Sequence, residues 1–297
     1  MIDLNIASIL PQIFNGIQFG ILVGLLATGL SLIFGMLGII NFAHGSLYML
    51  GAYLVWTFVQ LIGIPGSFWI GLVFSFLIMG FVGFIIEKFL LRRLYGQPVV
   101  YMILITFGLL LFIQQGVGVI YGTNPLPLGI PHIFRSEVNL GLFKYPFYYL
   151  FTMVLGLMVI IAIWFFIERS AWGAIIRACA EDPETASTLG IKTVNVYALT
   201  FALGAALAGL GGGLHAPMIG GIQHTIGGLI ILICFIVVVV GGMGSIRGAL
   251  LAGIIMGITR GLAGIFWAPA SEIVMFLAMG IILVFRPQGL LGRKVSG

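Results

Sequence analysis

The sequence predicts an all-α polytopic membrane protein, and three observations carry that prediction. Of the 297 residues, 61% are hydrophobic and 7% charged, where a soluble domain carries about 25% charged residues. With a mean hydropathy of +1.23, most of the chain must have lipid as its solvent. Its apolar runs are long enough for helices, about 20 residues each. They show no alternating ten-residue pattern, which argues against a β-barrel. The 44 glycines suit helices that pack backbone against backbone.

Taken in order, nine spans are expected, at about 12–34, 39–61, 67–87, 98–121, 147–167, 196–216, 226–242, 248–266 and 271–286. The first two are joined by a short Gly35-Met-Leu-Gly38 turn, and the seventh is short and bounded by glycines. Eight full spans plus a broken or re-entrant piece is the alternative. Basic residues set the orientation, because cytoplasmic loops are enriched in Lys and Arg. Lys88, Arg92, Arg93, Arg169, Arg177, Lys192, Arg247, Arg286, Arg293 and Lys294 fall on one side of a nine-span chain. Arg135 and Lys144 fall on the other, and Arg260 lies inside a span. The N-terminus is therefore expected outside and the C-terminus in the cytoplasm. The first residues, with Asp3, Asn5 and Gln12 as their polar members, lack the basic stretch of a cleaved signal peptide. The net charge of +5 reflects this placement and gives no reason to expect nucleic acid.

The chain reads as one transmembrane domain, 1–297, with two notable loops. The outer loop 122–146 is rich in Pro and Gly, which favour extended turns over helix. It is either a plain connector or a contact for an external partner. The cytoplasmic loop 168–195 holds Glu168, Arg169, Arg177, Glu181, Asp182, Glu184 and Lys192, a third of all the charge in the chain. Trp172 to Ala180 can form a short helix. Asp182 before Pro183 reads as an N-cap followed by proline in the first turn, with Glu184 adding favourable charge there. Gly190 reads as the glycine that closes this second helix at about 189. Two short amphipathic helices suit the groove of a partner.

Several chemistries are missing. No Lys follows a Gly, so there is no P-loop for ATP. There is no Cys-x-x-Cys and no His-Glu-x-x-His, and no Asp lies in a span. Cys179 and Cys234 fall in different kinds of segment, so neither a disulfide nor a metal site is expected. An enzyme is disfavoured and no cofactor is implied. Glu87 and Glu272 sit at span ends, which leaves no membrane carboxylate to run an ion-coupled carrier.

What remains are pathway candidates and packing stripes. Asn41, His44 and Ser46, near the start of the second span, can line a pathway or bond across helices. Arg260 can serve a pathway, or it can pair with a helix-end carbonyl or Glu272. His215 and His224 flank the outer end of the sixth span. Small residues recur every four positions at Gly16/Gly20/Gly24, Gly204/Ala208/Gly212 and Gly253/Gly257/Gly261, as closely packed helices require. Gly35-Met-Leu-Gly-Ile39 is echoed by Gly242-Met-Gly-Ser-Ile246, a hint of the internal repeats common in transporters.

Three stretches, in this order, resemble the branched-chain amino acid ABC transporter permeases of the LivH type. They are Gly29-Leu-Ser-Leu-Ile-Phe-Gly-Met-Leu-Gly-Ile-Ile-Asn-Phe-Ala-His-Gly-Ser-Leu-Tyr-Met-Leu-Gly-Ala-Tyr53, Arg177-Ala-Cys-Ala-Glu-Asp-Pro-Glu-Thr-Ala-Ser-Thr-Leu-Gly-Ile191 and Val237-Val-Val-Val-Gly-Gly-Met-Gly-Ser-Ile-Arg-Gly-Ala-Leu250. The resemblance implies a multi-pass subunit of the bacterial inner membrane. It implies as partners a second, LivM-like permease, cytoplasmic ATPase subunits and a periplasmic substrate-binding protein. It further implies that Glu181, Ala186 and Gly190 match the motif that touches the ATPase, beside Arg177, Asp182 and Glu184 in the same loop. The chain departs from the family at Ser46, where relatives often carry an acid. The resemblance implies a branched-chain or other small hydrophobic amino acid as the solute. The competing reading is a stand-alone or ion-coupled facilitator for a small polar solute such as an amide or urea.

Overall fold

The structure is a computed structural model that describes residues 6–267 and 269–292, with side chains from residue 9 onward. Asp3, Asn5, Arg293 and Lys294 lie outside the described residues. The chain is mostly helical: α1 (Ile6–Leu37), α2 (Ala43–Ile62), α3 (Ser67–Phe89), α4 (Val99–Tyr121), α5 (Phe147–Arg169), α6 (Ala171–Glu181), α7 (Pro183–Thr188), α8 (Thr193–His215), α9 (Ile226–Gly241), α10 (Ile246–Phe266) and α11 (Ala270–Phe285). Among the described residues, seven helices are long and apolar enough to cross a membrane: α1 to α5, α8 and α10. The apolar α9 and α11 are shorter, at 16 residues each. Every expected span coincides with one of these nine helices.

One boundary and one loop differ from the sequence reading. The turn expected at Gly35–Gly38 begins only at Gly38 (φ +64°), because α1 runs on to Leu37. Met36 and Leu37 pack beside Cys179, Ala186 and Val196, so tertiary burial holds the last turn of α1 in helix. The loop after α4 also holds a small antiparallel hairpin, β1 (Glu137–Asn139) against β2 (Lys144–Pro146).

The residues divide into two compact units. The first comprises the chain up to Thr28, Ile130–Ile161 and everything from Ile233. In it, α1 lies against α10 at backbone distance. A Cβ on Gly16 would come within 2.6 Å of the Gly257 carbonyl, and Gly20 and Gly253 meet in the same way. Gly261 is pressed against the carbonyl of Gln12, whereas a Cβ at Gly24 would make only ordinary contacts at 3.6 Å. Gln18 donates to Thr152 across 3.2 Å, and Tyr145 at the hairpin donates to Asn15.

The second unit comprises Gly29–Gly129 and Ala162–Leu232. Its centre is α8, packed against α2 and α3. Gly204 of α8 meets Gly29, Gly209 meets Gly51 and Met79, and Gly212 meets the Tyr48 carbonyl. Glycines allow these helices to approach closely enough for dispersion contacts to replace the hydrophobic drive that is missing between helices in lipid. Hydroxyls add bonds of two kinds: Ser75 of α3 donates across to the Gly209 carbonyl of α8 at 2.9 Å, and Thr57 donates back within its own helix to the Tyr53 carbonyl at 2.8 Å.

At the end of α3, Glu87 is fully buried, although the sequence reads it only as a span-end residue. Arg92 grips its carboxylate in two bonds, at 2.9 and 3.3 Å, and the Tyr95 hydroxyl donates to it at 2.6 Å. Arg92 also donates to the Val194 carbonyl in the first turn of α8. Burial, then the neighbouring Glu87 carboxylate, holds the Tyr95 phenol well above its ordinary range, so it stays a donor.

Candidate functional site

Two places in the second unit carry all the predicted coupling and pathway residues except Arg260. The first is the helix pair α6–α7. Ser170 caps α6 by accepting from the Gly173 amide at 2.9 Å. Asp182 caps α7 more fully: one carboxylate oxygen accepts from the amides of Glu184 and Thr185 at 3.1 and 3.0 Å, and the other from the Thr185 hydroxyl at 2.5 Å. Those bonds, led by the Thr185 hydroxyl, hold the Asp182 carboxyl below its usual range. A carboxylate depressed by folding lends its stability above its unfolded pKa and loses it as pH falls through the lower folded value. The cap is therefore intact at neutral pH and fails only in acid.

Gly190 (φ +85°) closes α7. The amide of Ile191 reaches back to the Ala186 carbonyl at 3.1 Å and that of Gly190 to Ser187 at 3.0 Å, the paired bonds of a Schellman closure. These capping devices matter because a six-residue helix has almost no stability of its own.

The inner face of the pair is a plug. Cys179 and Ala186 are buried with Met36 at the end of α1 and Val196 at the start of α8, flanked by Ile175, Ile176, Ile191 and Tyr197. Arg177 is half-buried and donates to the Ile167 carbonyl near the end of α5. The outer face carries the acids Glu181, Asp182 and Glu184, all exposed, beside the exposed apolar side chains of Trp172 and Leu189. The six residues singled out from the sequence thus separate. Glu181, Asp182, Glu184 and Gly190 are on the surface, Ala186 is in the plug, and Arg177 fastens the pair to α5.

The second place is the segment between α1 and α2. Residues 38–42 are not helical, and Asn41, His44 and Ser46 are each fully buried. Ser46 donates within its own helix to the Ala43 carbonyl at 2.7 Å. The His44 ring lies beside Gly29, at the point where Gly29 meets Gly204. Both amide atoms of Asn41 are buried with no hydrogen-bond partner. An unsatisfied buried polar group costs about 1–3 kcal/mol.

Some neighbours of this segment gave little sequence signal. The Thr106 hydroxyl of α4 donates to the Ile40 carbonyl at 3.2 Å, Tyr48 hydrogen-bonds His215, and Gly45 of α2 abuts Gly227 of α9. The Gly227-Gly228 pair at the start of α9 was the visible hint of that last approach. His224 packs beside Gly118 of α4. Arg260 belongs to the other unit, where its guanidinium lies 4.1 Å from the centre of the Phe19 ring.

A family model described as the branched-chain amino acid transport system permease component matches residues 12–285. The chain belongs to that permease family. It is accordingly a multi-pass membrane protein and a transport subunit, not itself an enzyme. Among its permease relatives is the high-affinity branched-chain amino acid transport system permease protein LivH of Salmonella typhimurium, 32% identical with 96% of each chain covered. The corresponding protein BraD of Pseudomonas aeruginosa is 33% identical over the same shares. Among solved structures, PsaBC from Streptococcus pneumoniae in complex with Fab has a similar fold, with a TM-score of 0.50 and 15% identity over 92% of this permease and 91% of that chain.

Proposed function

We propose that this permease is the membrane subunit of an ATP-driven importer for branched-chain or other small hydrophobic amino acids, working by alternating access in the bacterial inner membrane. The observation that carries the reading is the α6–α7 pair. It is capped at each helix start, plugged into the ends of α1 and α8, and presents an outer face of acids beside exposed Trp172 and Leu189. Such a face suits the groove of a cytoplasmic ATPase subunit. The sequence has no P-loop motif of its own, so in this reading the energy enters from a separate subunit through this contact.

In the proposed assembly the chain spans the membrane nine times, N-terminus periplasmic and C-terminus cytoplasmic. It pairs with a LivM-like permease and receives solute from a periplasmic binding protein, for which the loop 122–146 is the docking candidate. An ATPase can shift the equilibrium between inward- and outward-facing states only by binding the two differently. The plug gives that difference a route: a displaced α7 moves Ala186 against Met36 and Val196, hence α1 and α8 directly.

The test is affinity purification in mild detergent with mass spectrometry of the co-purifying chains. The expected result is ATPase subunits and a second permease in stoichiometric amounts. Recovery of the chain alone, under conditions that preserve its ligand-free fold, would count against the assembly and favour a stand-alone facilitator.

A further inference from the structure

We propose that the interruption before α2 is a binding site for the carboxylate of the transported solute, built from Asn41 and the convergent starts of α2 and α9. The inference rests on the transport reading and names where the solute is held. Three observations combine.

First, α2 is a 20-residue helix whose start is buried. Its cap position, Phe42, supplies no side-chain hydrogen bond, and Ala43 has no exposed surface. Helix starts carry N–H donors and a partial positive charge, which is why they attract anions; here the His44 and Gly45 amides make only long bonds, at 3.4 and 3.3 Å, to the carbonyls of Asn41 and Phe42. Second, α9 begins at the same place. A Cβ on Gly227 would come within 2.7 Å of the Gly45 carbonyl, so the first turns of the two helices touch through backbone. Transporters place the starts of discontinuous helices against anionic groups of their substrates in this manner.

Third, and independent of the helix ends, Asn41 stands one position before the α2 cap. It is 0% exposed, and its amide nitrogen and oxygen both lack a partner. Its own backbone carbonyl accepts from the His44 amide at 3.4 Å, which folds the residue over the first turn of α2. Two polar side chains of the same neighbourhood, Ser46 and Thr106, do find carbonyl partners. In Asn41, by contrast, the donor and the acceptor of one amide are left open together, which is the pair of functions a zwitterion can fill.

An amino acid supplies the complement: its carboxylate accepts from the amide NH2 and the helix N–H groups, and its ammonium can donate to the amide oxygen. None of the residues that build the site here is Lys or Arg, so it binds through dipoles. That suits a transport site, where the solute must bind well enough to enter and weakly enough to leave.

The test is thermal unfolding of the full-length chain in detergent, with leucine, isovalerate or isoamylamine as probes. A ligand that binds only the folded state raises the midpoint, by an amount that grows with the logarithm of its concentration over Kd. Leucine and isovalerate, which share the carboxylate, are expected to raise it, and isoamylamine, which lacks the carboxylate, is not. Asn41→Leu is expected to abolish the shift while its own midpoint equals or exceeds wild type, because the unsatisfied amide is gone. In the assembled transporter the same variant is expected to lower leucine uptake about tenfold with ATP hydrolysis retained. A shift with isoamylamine equal to that with leucine, a shift retained in Asn41→Leu, no shift with leucine at all, or a variant that loses stability and uptake together would each overturn the proposal. The failure of the wild-type assembly to import leucine would instead strike the transport reading, since the carboxylate-dependent shift does not depend on ATP.

Discussion

Replacing Gly212 by valine will leave no folded chain, whereas the same change at Gly280 will be tolerated. A β-carbon at Gly212 lands on the Tyr48 carbonyl of α2 and 3.2 Å from the Ala52 amide. Both neighbours are backbone, so no side chain can swing aside. Helix propensity alone would reward Gly212→Ala by about 1 kcal/mol. Overpacking a tight contact costs about 1–3 kcal/mol, and more where backbone must move. The alanine variant is therefore expected to lose stability on balance, and the valine variant to lose the α2–α8 contact outright. Gly280 of α11 has no neighbour within 4 Å of the same position, so only the propensity gain applies there. Size-exclusion profiles and thermal unfolding in detergent read the difference. Equal stability of the two valine variants would contradict the packing account.

That contrast also shows what was readable beforehand. The stripe through Gly204, Ala208 and Gly212 was visible as spacing, because small residues every four positions share one helix face. Which helix it faces was not visible, since Gly212 meets Tyr48 across a sequence separation of well over 100 residues. The α6–α7 pair was legible almost to the residue: caps are local, and Asp182-Pro183 and Gly190 each specify backbone geometry by themselves. The interruption at 38–42 was displaced by about three residues. In a chain that is apolar on every face, periodicity gives no boundary, and α1 is prolonged by Met36 and Leu37 packing under α6 and α7. Glu87 was misjudged for a related reason. A carboxylate at a span end normally faces water, and its burial here depends on Arg92 and Tyr95 folding back over it.

Gly190→Val will lower uptake by about 5–30-fold, the consequence of one or two kcal/mol, while leaving the protein inserted and the ATPase subunits able to hydrolyse ATP. A left-handed conformation costs an L-residue roughly 1–2 kcal/mol, and a branched β-carbon makes it worse. Without Gly190 at φ +85° the Ile191 and Gly190 amides lose their carbonyl partners, and the six-residue α7 is left with only the Asp182 cap. Ala186 then leaves the plug, and a push on α7 no longer reaches α1 and α8. Glu181→Lys attacks the other face. It reverses an exposed charge without touching the plug, so it is expected to weaken ATPase docking while the fold is unchanged. Uptake, ATP hydrolysis and the amount of membrane-inserted chain, measured on the same preparations, separate the two mechanisms. Normal uptake by both variants would remove α6–α7 from the coupling role.

The central claim is that this permease moves solute only when an external ATPase drives it through that helix pair. Leucine uptake into proteoliposomes tests it most directly, comparing the chain alone with the co-purified assembly supplied with binding protein and ATP. The account predicts concentrative uptake by the assembly with ATP, and none by the chain alone. Leucine flux through the chain alone, unchanged by adding ATPase subunits and ATP, would contradict it.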